Sequence, residues 1–381
     1  MALTKYKLGQ LIEIITETNS NYLFGTDDVK GMTITKEIIP TKADVSTTDL
    51  RKFLVIHPGE FVFNPRTHGK HIGFGYNNTA DSFIISWNNI GFRIKQDMYN
   101  VVSSEYLFLH FNRNEWDREA CYRSWGSSTE VFSWEALCEM ELDLPSLSVQ
   151  QKYVDIYNSM VANQQSYERG LEDLKLVCDG YIEDLRRKMP STPIGEYIES
   201  VELKNDDLKF GIEAVRGISI EKKFIQTKAD MKDVNLRPYL MIQPNDFAYV
   251  TVTSRNGEKI SIALNDSDTT YICSSSYVVF RSKDVEKLLP QYLMLYFSRP
   301  EFNRYARYNS WGSARETFDW SEMCDIQIPI PDIKIQKAIA EVFTVYVSRK
   351  RINEQLKVQI KDICPILIKG SMEESQDEPI H

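Results

Sequence analysis

Hydrophobic and polar positions follow the same order in two stretches of the 381-residue chain. The sequences FLVIHPGEFVFN, from residue 53, and YLMIQPNDFAYV, from residue 239, each consist of two apolar runs around a turn rich in proline, glycine, asparagine and aspartate. This pattern predicts a strand, a turn and a strand. Apolar residues at helical spacing follow, around Tyr106 and Tyr292, and an apolar strand ending near Pro145 or Pro331 closes each stretch.

The two stretches are copies of one module. Trp125 and Trp311 are 311 − 125 = 186 residues apart, and the same separation relates YRSWGSSTEVFSW, from residue 122, to YNSWGSARETFDW, from residue 308. It also relates Gly9 to Gly195 and the TKAD sequence at residue 41 to that at residue 227. An internal repeat of this length indicates two domains of the same fold.

A long segment after each copy has apolar residues at a spacing of three and four, which predicts a coiled-coil helix. A polar layer is predicted at Asn163 and Arg349. Because the second domain lies between the helices in the chain, we expect them to pack antiparallel. The predicted inward positions are Val149, Tyr153, Ile156, Met160, Tyr167, Leu174, Cys178, Tyr181 and Leu185 in the first helix, and Ile335, Ile339, Val342, Tyr346, Ile360, Ile363 and Leu367 in the second.

The predicted fold class is α+β, with two mixed α/β domains related by a pseudo-twofold axis and separated by two long antiparallel helices that form a coiled coil. The predicted boundaries are 1–146 for the first domain, 147–188 for the central helix, 189–332 for the second domain and 333–370 for the C-terminal helix. Residues 371–381 are interpreted as an acidic tail, the one part for which we expect disorder.

Composition is typical of a globular protein, with 42% hydrophobic and 26% charged residues. The sequence MALTKYKLGQ lacks a signal peptide's apolar region, and no apolar run approaches the roughly 18 residues of a membrane helix. We therefore expect a cytoplasmic protein without a membrane partner. The six cysteines have no metal or disulfide spacing, so we interpret them as reduced, packed thiols. The net charge of −9 argues against nucleic acid as a partner, but phosphate binding depends on a local basic face.

Two polar, basic loops follow equivalent strands but differ in sequence: NPRTHGKHIG, from residue 64, and TVTSRNGEKI, from residue 251. Unlike loops on equivalent scaffolds suit two unlike DNA half-sites, which face the same side of a duplex about 34 Å apart per turn. Arginine binds guanine, asparagine binds adenine and lysine binds phosphate, whereas an ordinary solvated loop is the alternative. The predicted DNA contacts of these loops are Arg66, His68, Lys70, Arg255, Asn256 and Lys259.

The W-G-S stretch of each copy has two interpretations. Trp125, Phe132 and Trp134 are predicted to anchor a loop against the domain core, with Gly126 allowing a tight turn. Such a loop is also a rigid mount for polar side chains that face DNA. The predicted contacts of this kind are Arg123, Ser127, Asn309 and Arg315.

The order of several motifs carries a resemblance to a known family. They are SRNGEKIS from residue 254, SSSYVVFR from residue 274, QYL from residue 291, GSAR from residue 312, and PIP from residue 329 leading to Gln336. Over essentially its whole length, the chain resembles the specificity (S) subunit of bacterial Type I restriction-modification systems. Copy one departs from the pattern, because it lacks the Ser-Arg-Asn-Gly sequence and has no arginine equivalent to Arg315.

The resemblance implies two target recognition domains, each reading one half of a bipartite, asymmetric site in double-stranded DNA. It implies that the helices set the gap between the halves and dock two modification (methyltransferase) subunits. Those subunits would methylate adenine N6 with S-adenosylmethionine, and restriction (translocase/nuclease) subunits would join them for cleavage.

We therefore predict a non-catalytic DNA-sequence-specificity subunit, with no catalytic residue, cofactor or metal site in this chain. His68 and His71 have no cysteine or carboxylate neighbours that would complete a metal site. A self-contained methyltransferase is disfavoured, because Arg66 follows Asn64-Pro65 where its motif has a second proline and because no glycine-rich cofactor loop is present. The alternative is a pseudo-dimeric scaffold or ligand-binding protein that uses the same architecture for protein or glycan partners.

Overall fold

The computed structural model describes residues 3–68, 71–126, 130–227, 229–253, 259–313 and 315–377. Copy one runs from a short strand near the N-terminus to a strand just before Pro145. Its elements are β1 (Thr4–Lys7), α1 (Leu8–Leu11), β2 (Ile12–Ile14), β3 (Lys30–Met32), β4 (Ile38–Pro40), β5 (Leu54–Ile56), β6 (Phe61–His68), β7 (His71–Tyr76), β8 (Phe83–Ile85), β9 (Ile90–Ile94), α2 (Ser104–Phe111), α3 (Asn114–Tyr122), α4 (Trp134–Cys138) and β10 (Glu141–Leu144).

The long helix α5 (Leu147–Lys188) follows, and copy two then repeats the order of copy one. Its elements are β11 (Ser191–Pro193), β12 (Ile198–Ser200), β13 (Arg216–Ile218), β14 (Phe224–Gln226), β15 (Leu240–Ile242), β16 (Phe247–Val250), β17 (Ile262–Leu264), β18 (Tyr271–Cys273), β19 (Tyr277–Ser282), α6 (Pro290–Ser298), α7 (Pro300–Tyr308), α8 (Trp320–Cys324) and β20 (Gln327–Pro329). The second long helix, α9 (Ile333–Asp377), comes last. The mixed α/β fold with a long helix after each copy is confirmed.

A four-stranded antiparallel sheet forms the centre of each copy, with strand order β2-β9-β6-β7 in copy one and β12-β19-β16-β17 in copy two. Phe61 lies opposite Phe92, and their rings stack with centroids 5.0 Å apart. Phe247 and Phe280 repeat the pair at 4.8 Å. Stacked aromatic pairs on one face of a sheet fix its register and bury apolar area.

A strand pair and a close contact join the beginning of each copy to its end. Strand β1 pairs with β10, and β11 pairs with β20. A side chain at Gly9 would come within 2.8 Å of the Cβ atom of Cys138, and one at Gly195 would meet Cys324 at the same distance. The same glycine and the same cysteine therefore occur in both copies for a packing reason, since only glycine allows this approach.

The chain divides into two compact units. Unit 1 comprises Met1–Ser166 and Asn353–His381, and unit 2 comprises Tyr167–Ile352. Each unit thus combines one globular copy with a half of each long helix. The predicted boundaries at residues 146, 188, 332 and 370 follow the chain rather than these units, and they stay a prediction.

The two long helices run antiparallel within each unit. In unit 1, Lys152 forms an ion pair of 2.7 Å with Glu374, and Gln164 donates a hydrogen bond of 2.9 Å to Asn353, so partner numbers fall as residue numbers rise. In unit 2, the core combines Cys178 and Ile182 of α5 with residues near the start of α9. The antiparallel pairing is confirmed for each unit.

The predicted polar layer is wrong by a small rotation. Asn163 and Arg349 are exposed, whereas Gln164 and Asn353 are the buried polar pair between the helices. Successive helix residues are about 100° apart, so a neighbour one position away faces a different side. Three predicted inward residues are exposed for the same reason: Ile156, Tyr181 and Ile335.

A buried glutamine fastens each copy to its following helix. Gln150 donates hydrogen bonds to the carbonyl oxygens of Val101 (2.8 Å) and Pro145 (2.9 Å), and its Oε1 accepts one from the Ser103 amide (3.1 Å). In unit 2, Gln336 makes the same three bonds with Lys287, Pro331 and Leu289, at 2.8 to 2.9 Å. Both glutamines are fully buried, so they satisfy backbone groups that water does not reach.

Helix α9 continues to Asp377. The expectation that the chain is disordered from residue 371 is therefore wrong for residues 371–377. Ser371 and Ser375 are buried in unit 1. The Ser371 hydroxyl lies 2.6 Å from the hydroxyl of Tyr106, a fully buried residue of α2. Small serine side chains allow the helix to approach the core, and the sequence alone does not distinguish them from the serines of a flexible tail. Residues 378–381 lie outside the described part of the chain.

Candidate nucleic-acid interface

The β6–β7 hairpin of unit 1 presents the first predicted contact residues. Arg66 is exposed, and its amide donates a hydrogen bond of 2.9 Å to the Asn64 side chain. The hairpin register shifts between Phe63 and Thr67, which marks an irregularity in the strand at this point. His68 is the last residue of β6 and pairs with His71. Of the predicted loop contacts, Lys70 lies outside the described residues.

The β16–β17 hairpin occupies the same place in unit 2 but is longer at its tip. Phe63 pairs with Phe74, a separation of 74 − 63 = 11 residues, whereas Tyr249 pairs with Ile262, a separation of 262 − 249 = 13. The two extra residues therefore belong to the hairpin end, where the loop sequences also differ. The two hairpins differ in both length and side chains.

Only part of the second loop falls in the described residues. Arg255 and Asn256 lie outside them. Lys259 forms an ion pair of 2.9 Å with Glu221, and this hydrogen bond lowers the pKa of the Glu221 carboxyl group. Both side chains are about half exposed, so the pair contributes little stability and the Lys259 ammonium group stays accessible to a phosphate.

The W-G-S stretch is joined to the hairpin by backbone hydrogen bonds in unit 1. The Trp125 amide donates to the Val131 carbonyl (3.2 Å), and the Val131 amide donates to Trp125 (3.0 Å). On its other side, the same segment bonds to β6, because the Thr67 amide donates to Glu130 (3.1 Å) and the Phe132 amide to Pro65 (2.7 Å). The loop after α3 is therefore an extension of the hairpin edge.

Unit 2 repeats this connection with different side chains. Trp311 and Thr317 exchange backbone hydrogen bonds of 3.1 and 2.9 Å. The Thr253 amide donates to Glu316 (3.0 Å), and the Phe318 amide donates to Thr251 (2.8 Å). Each unit thus has one continuous platform, which we define as the hairpin β6–β7 or β16–β17 together with the W-G-S stretch bonded to its edge.

The predicted contacts of the W-G-S stretch have distinct environments. The Arg123 guanidinium group forms an ion pair of 2.9 Å with Glu119, one turn earlier in α3. Asn309 is the C-cap residue directly after α7, and its side chain donates a hydrogen bond of 3.0 Å to the Tyr305 carbonyl group. Arg315 is exposed, and Ser127 lies outside the described residues. The assignment of these residues to DNA stays a prediction.

The prediction that Trp125 anchors the loop in the core is wrong. Its side chain is 81% exposed, and the equivalent Trp311 is 63% exposed. The other two predicted anchors are confirmed, because Phe132 is fully buried and Trp134 packs against the core of unit 1. The equivalent Phe318 is fully buried in unit 2. A large apolar side chain is typical of the core, but Trp125 lies on the surface.

A left-handed glycine follows each exposed tryptophan. Gly126 has φ +153° and Gly312 has φ +140°. A Cβ atom on Gly312 would lie 2.2 Å from the Arg315 carbonyl oxygen, which is far inside van der Waals contact. Gly126 has the positive φ that the predicted tight turn needs, and the residues after it, 127–129, lie outside the described part of the chain. At Gly312, both the backbone angle and the close approach require glycine.

Tyr122 and Tyr308 are exposed residues that the sequence did not lead us to predict as part of the site. The occurrence of tyrosine at the same position of both copies was a signal that could have identified them. Each ends the helix before its tryptophan, and each is among the most exposed aromatic residues in the described part of the chain. Each platform therefore has two outward aromatic side chains beside its arginines.

Two classes of feature are absent from the described residues. No group of three or more histidine, cysteine, aspartate and glutamate side chains is arranged to hold a metal ion among them. Within the same residues, no helix is long and apolar enough to cross a membrane.

Comparison with known proteins gives a family match for one part of the chain and a fold match for nearly all of it. Residues 238–362 match the family described as Type I restriction modification DNA specificity domain. No curated protein matches the chain. The crystal structure of a Type-I restriction-modification system S subunit from M. genitalium is 9% identical, with a TM-score of 0.59 over 98% of this chain and 96% of that chain.

Two further structures align with lower TM-scores. The HsdS subunit from Thermoanaerobacter tengcongensis is 13% identical, with a TM-score of 0.38 over 97% of this chain and 96% of that one. A structure described as showing complex assembly and conformational transition of the type I R-M system is 15% identical, with a TM-score of 0.45 over 97% and 98%. The M. genitalium structure shows the shared fold. Residues 238–362 are similar to the Type I restriction modification DNA specificity domain family, and the chain is similar in fold, along nearly its whole length, to the M. genitalium S subunit.

Proposed function

We propose that this chain is the DNA-sequence-specificity subunit of a Type I restriction-modification complex, in which each unit reads one half of a bipartite, asymmetric site in double-stranded DNA. One observation carries the proposal. Both units present the same platform, but the hairpins at its edge differ in length by two residues and in the polar side chains they offer. Equivalent scaffolds with unlike readers suit two half-sites of unlike sequence.

The chain itself is proposed to be non-catalytic. Its role is to place two modification subunits on the DNA, and these subunits bind S-adenosylmethionine and transfer the methyl group to adenine N6. Restriction subunits join the assembly for cleavage. The family match at residues 238–362 supports this assignment, because it covers much of copy two and a large part of α9.

The long helices are proposed to set the gap between the half-sites and to dock the modification subunits. What supports this proposal is that each long helix contributes residues to both units. A helix of about 40 residues spans roughly 60 Å at 1.5 Å per residue, which is long compared with one DNA turn of about 34 Å.

Methylome sequencing of cells with and without the gene tests the proposal. We expect a split adenine-methylation motif to disappear when the gene is deleted and to return when it is restored on a plasmid. An unchanged methylome in cells that express the modification subunits would count against DNA specificity and favour the alternative, a pseudo-dimeric scaffold or ligand-binding protein.

A further inference from the structure

Four exposed aromatic side chains occupy the same two positions in both units. Tyr122 and Trp125 are 86% and 81% exposed in unit 1, and Tyr308 and Trp311 are 79% and 63% exposed in unit 2. Both pairs have the 186-residue separation. Among the exposed aromatic residues of the described ranges, no others have an exposed aromatic counterpart at this separation. Single exposed aromatics are ordinary, but their recurrence in both copies indicates a shared contact.

These side chains lie on the platform that carries the predicted DNA readers. Val131 is bridged to Arg66 on one side and to Trp125 on the other, so the tryptophan is two strands away from the predicted reader. Thr317 is bridged to Val252 and Trp311 in the same way. A ligand that contacts the hairpin tip therefore also approaches the aromatic pair.

The backbone around each tryptophan is ordered by hydrogen bonds within the unit itself. Trp125 and Trp311 each exchange two backbone hydrogen bonds with the neighbouring segment, and the following glycine adopts a conformation that other residues rarely reach. A side chain mounted on an ordered loop loses little conformational entropy on binding.

One exposed arginine beside each aromatic pair favours a polyanion as the ligand. Arg66 is bridged to Val131 in unit 1, and Arg315 follows Trp311 in unit 2. The nearby Arg123 and Arg307 are ion-paired with Glu119 and Glu316, so they contribute no net positive charge. In duplex DNA the bases are already stacked, so an exposed aromatic ring packs against deoxyribose, and arginine approaches phosphate, in both cases regardless of sequence. Such contacts explain why the aromatic pair is common to both units whereas the hairpin tips differ.

We propose that Tyr122 and Trp125, together with Tyr308 and Trp311, form sequence-independent contacts with duplex DNA beside the reader of each unit. This inference rests on the proposed function. The aromatic pairs supply affinity that is equal for all DNA sequences, and the unlike hairpin tips supply the discrimination.

The test uses the complete complex of the chain with its modification subunits. The probes are a duplex that contains the split site found by methylome sequencing and an unrelated duplex of equal length. Trp125→Ala and Trp311→Ala are each expected to weaken binding to both probes about 10-fold, which corresponds to about 1.4 kcal/mol, because the apolar contact of the indole ring with deoxyribose is lost. The ratio of the two affinities should stay unchanged, and Trp125→Phe should restore most of the loss.

Trp87→Ala is the matched control. Trp87 is also 63% exposed, lies after β8 and outside the platform, and has no aromatic counterpart in copy two. Its replacement should leave both affinities at the wild-type values. Melting temperatures should be equal for all variants, because none of the replaced side chains is buried.

The outcomes separate the two proposals. If the wild-type complex methylates a split site and the Trp125→Ala and Trp311→Ala variants bind DNA normally, the aromatic contact is refuted and the proposed function stands. If the variants lose their modification subunits during size-exclusion chromatography, the aromatic pairs dock protein and the inference is overturned. If the wild-type complex shows neither a methylated split site nor DNA binding, the proposed function itself fails.

Discussion

Lys36 donates a hydrogen bond of 2.9 Å to Asp117, and both side chains are almost completely buried in unit 1. Lys36 also donates to the Phe111 carbonyl oxygen at 2.6 Å, at the C-terminal end of α2. Unit 2 has Lys222 and Asn303 at the same two positions, since 222 − 36 = 186 and 303 − 117 = 186. The duplicated lysine has thus lost its carboxylate partner in unit 2.

The stability of unit 2 is predicted to depend on the charge of Lys222. The pKa of Lys222 is lowered to about 7, mainly by burial and in smaller part by Lys259, whereas Glu221 acts in the opposite direction. The ordinary lysine pKa of 10.5 applies to the unfolded chain. Between about pH 7 and pH 10.5, Lys222 therefore carries a proton in the unfolded chain but not in the folded chain. Stability therefore rises with pH across this window, and below pH 7 the full cost of burying the ammonium group is present.

The Lys222→Met variant tests this prediction. The melting temperature of the wild type, relative to that of Lys222→Met, should rise between pH 7 and pH 10 because the variant cannot titrate at this position. Asn303→Asp should raise the pKa of Lys222 and reduce this rise by restoring the charge pair of unit 1. A melting-temperature difference that is independent of pH would show that Lys222 does not titrate in this window.

Gln150 and Gln336 are predicted to be required for stability. Replacing either by alanine removes three hydrogen bonds and leaves buried carbonyl groups without partners, which costs about 1–3 kcal/mol for each orphaned group. Denaturant unfolding measures the loss. Gln151→Ala is the control, because this exposed neighbour bonds only within its own helix, to Asp155 at 2.8 Å, among the described residues. Equal stability of Gln150→Ala and Gln151→Ala would contradict the prediction.

Removal of the residues after Gly370 is predicted to destabilise unit 1. The truncation deletes Ser371, which bonds to the buried Tyr106, and Glu374, which pairs with Lys152. Truncation after Asp377 keeps these contacts and serves as the control. Melting temperatures should fall only for the longer deletion. A flexible, dispensable tail would give the wild-type melting temperature in both cases.

Exchange of residues 9–146 for the equivalent domain of another family member is predicted to change one half-site and leave the gap and the other half unchanged. The reason is that the hairpin β6–β7 belongs wholly to this stretch. Methylome sequencing of cells that carry the chimaera reads both halves at once. A change in both halves would refute the modular reading of DNA.

Insertion of one heptad into both long helices is predicted to widen the gap by roughly 3 base pairs, since about 10 Å of helix at 1.5 Å per residue corresponds to that length of DNA. The insertions belong at Ser166 in α5 and Ile352 in α9, where the chain passes between units. The spacing of methylated adenines reports the gap. An unchanged gap would show that helix length does not set it.

The repeat made much of the fold predictable, because residues that are identical in both copies indicate contacts that both domains share. The agreement of Gly9 with Gly195 and of Cys138 with Cys324 reflects one close contact made twice. The strands on either side of Pro58 were predicted, but not that β5 pairs with β8 while β6 joins the central sheet. Partner choice depends on distant segments, which local periodicity does not record.

The errors concern the direction of side chains rather than the kind of element. Asn163 was predicted to belong to a polar layer, but Gln164 forms that layer. The error arose because the heptad phase is inferred from apolar residues, which are sparse in this part of the helix. Trp125 was assigned to the core because residue type was the available signal, whereas its side chain is exposed. The contact residues at the hairpin tips depend on loop geometry, which has no periodic pattern to read.

The division of the helices between units also constrains how the protein folds during synthesis. Unit 2 is one continuous stretch, Tyr167–Ile352, so every residue of its core has been made when synthesis passes Ile352. The core of unit 1 includes Cys364, Leu367 and Ile368, so the domain that leaves the ribosome first lacks part of its interior until residue 368 has been made. We therefore expect the N-terminal domain to finish folding after the domain that follows it, and to remain exposed to proteases and chaperones while it waits.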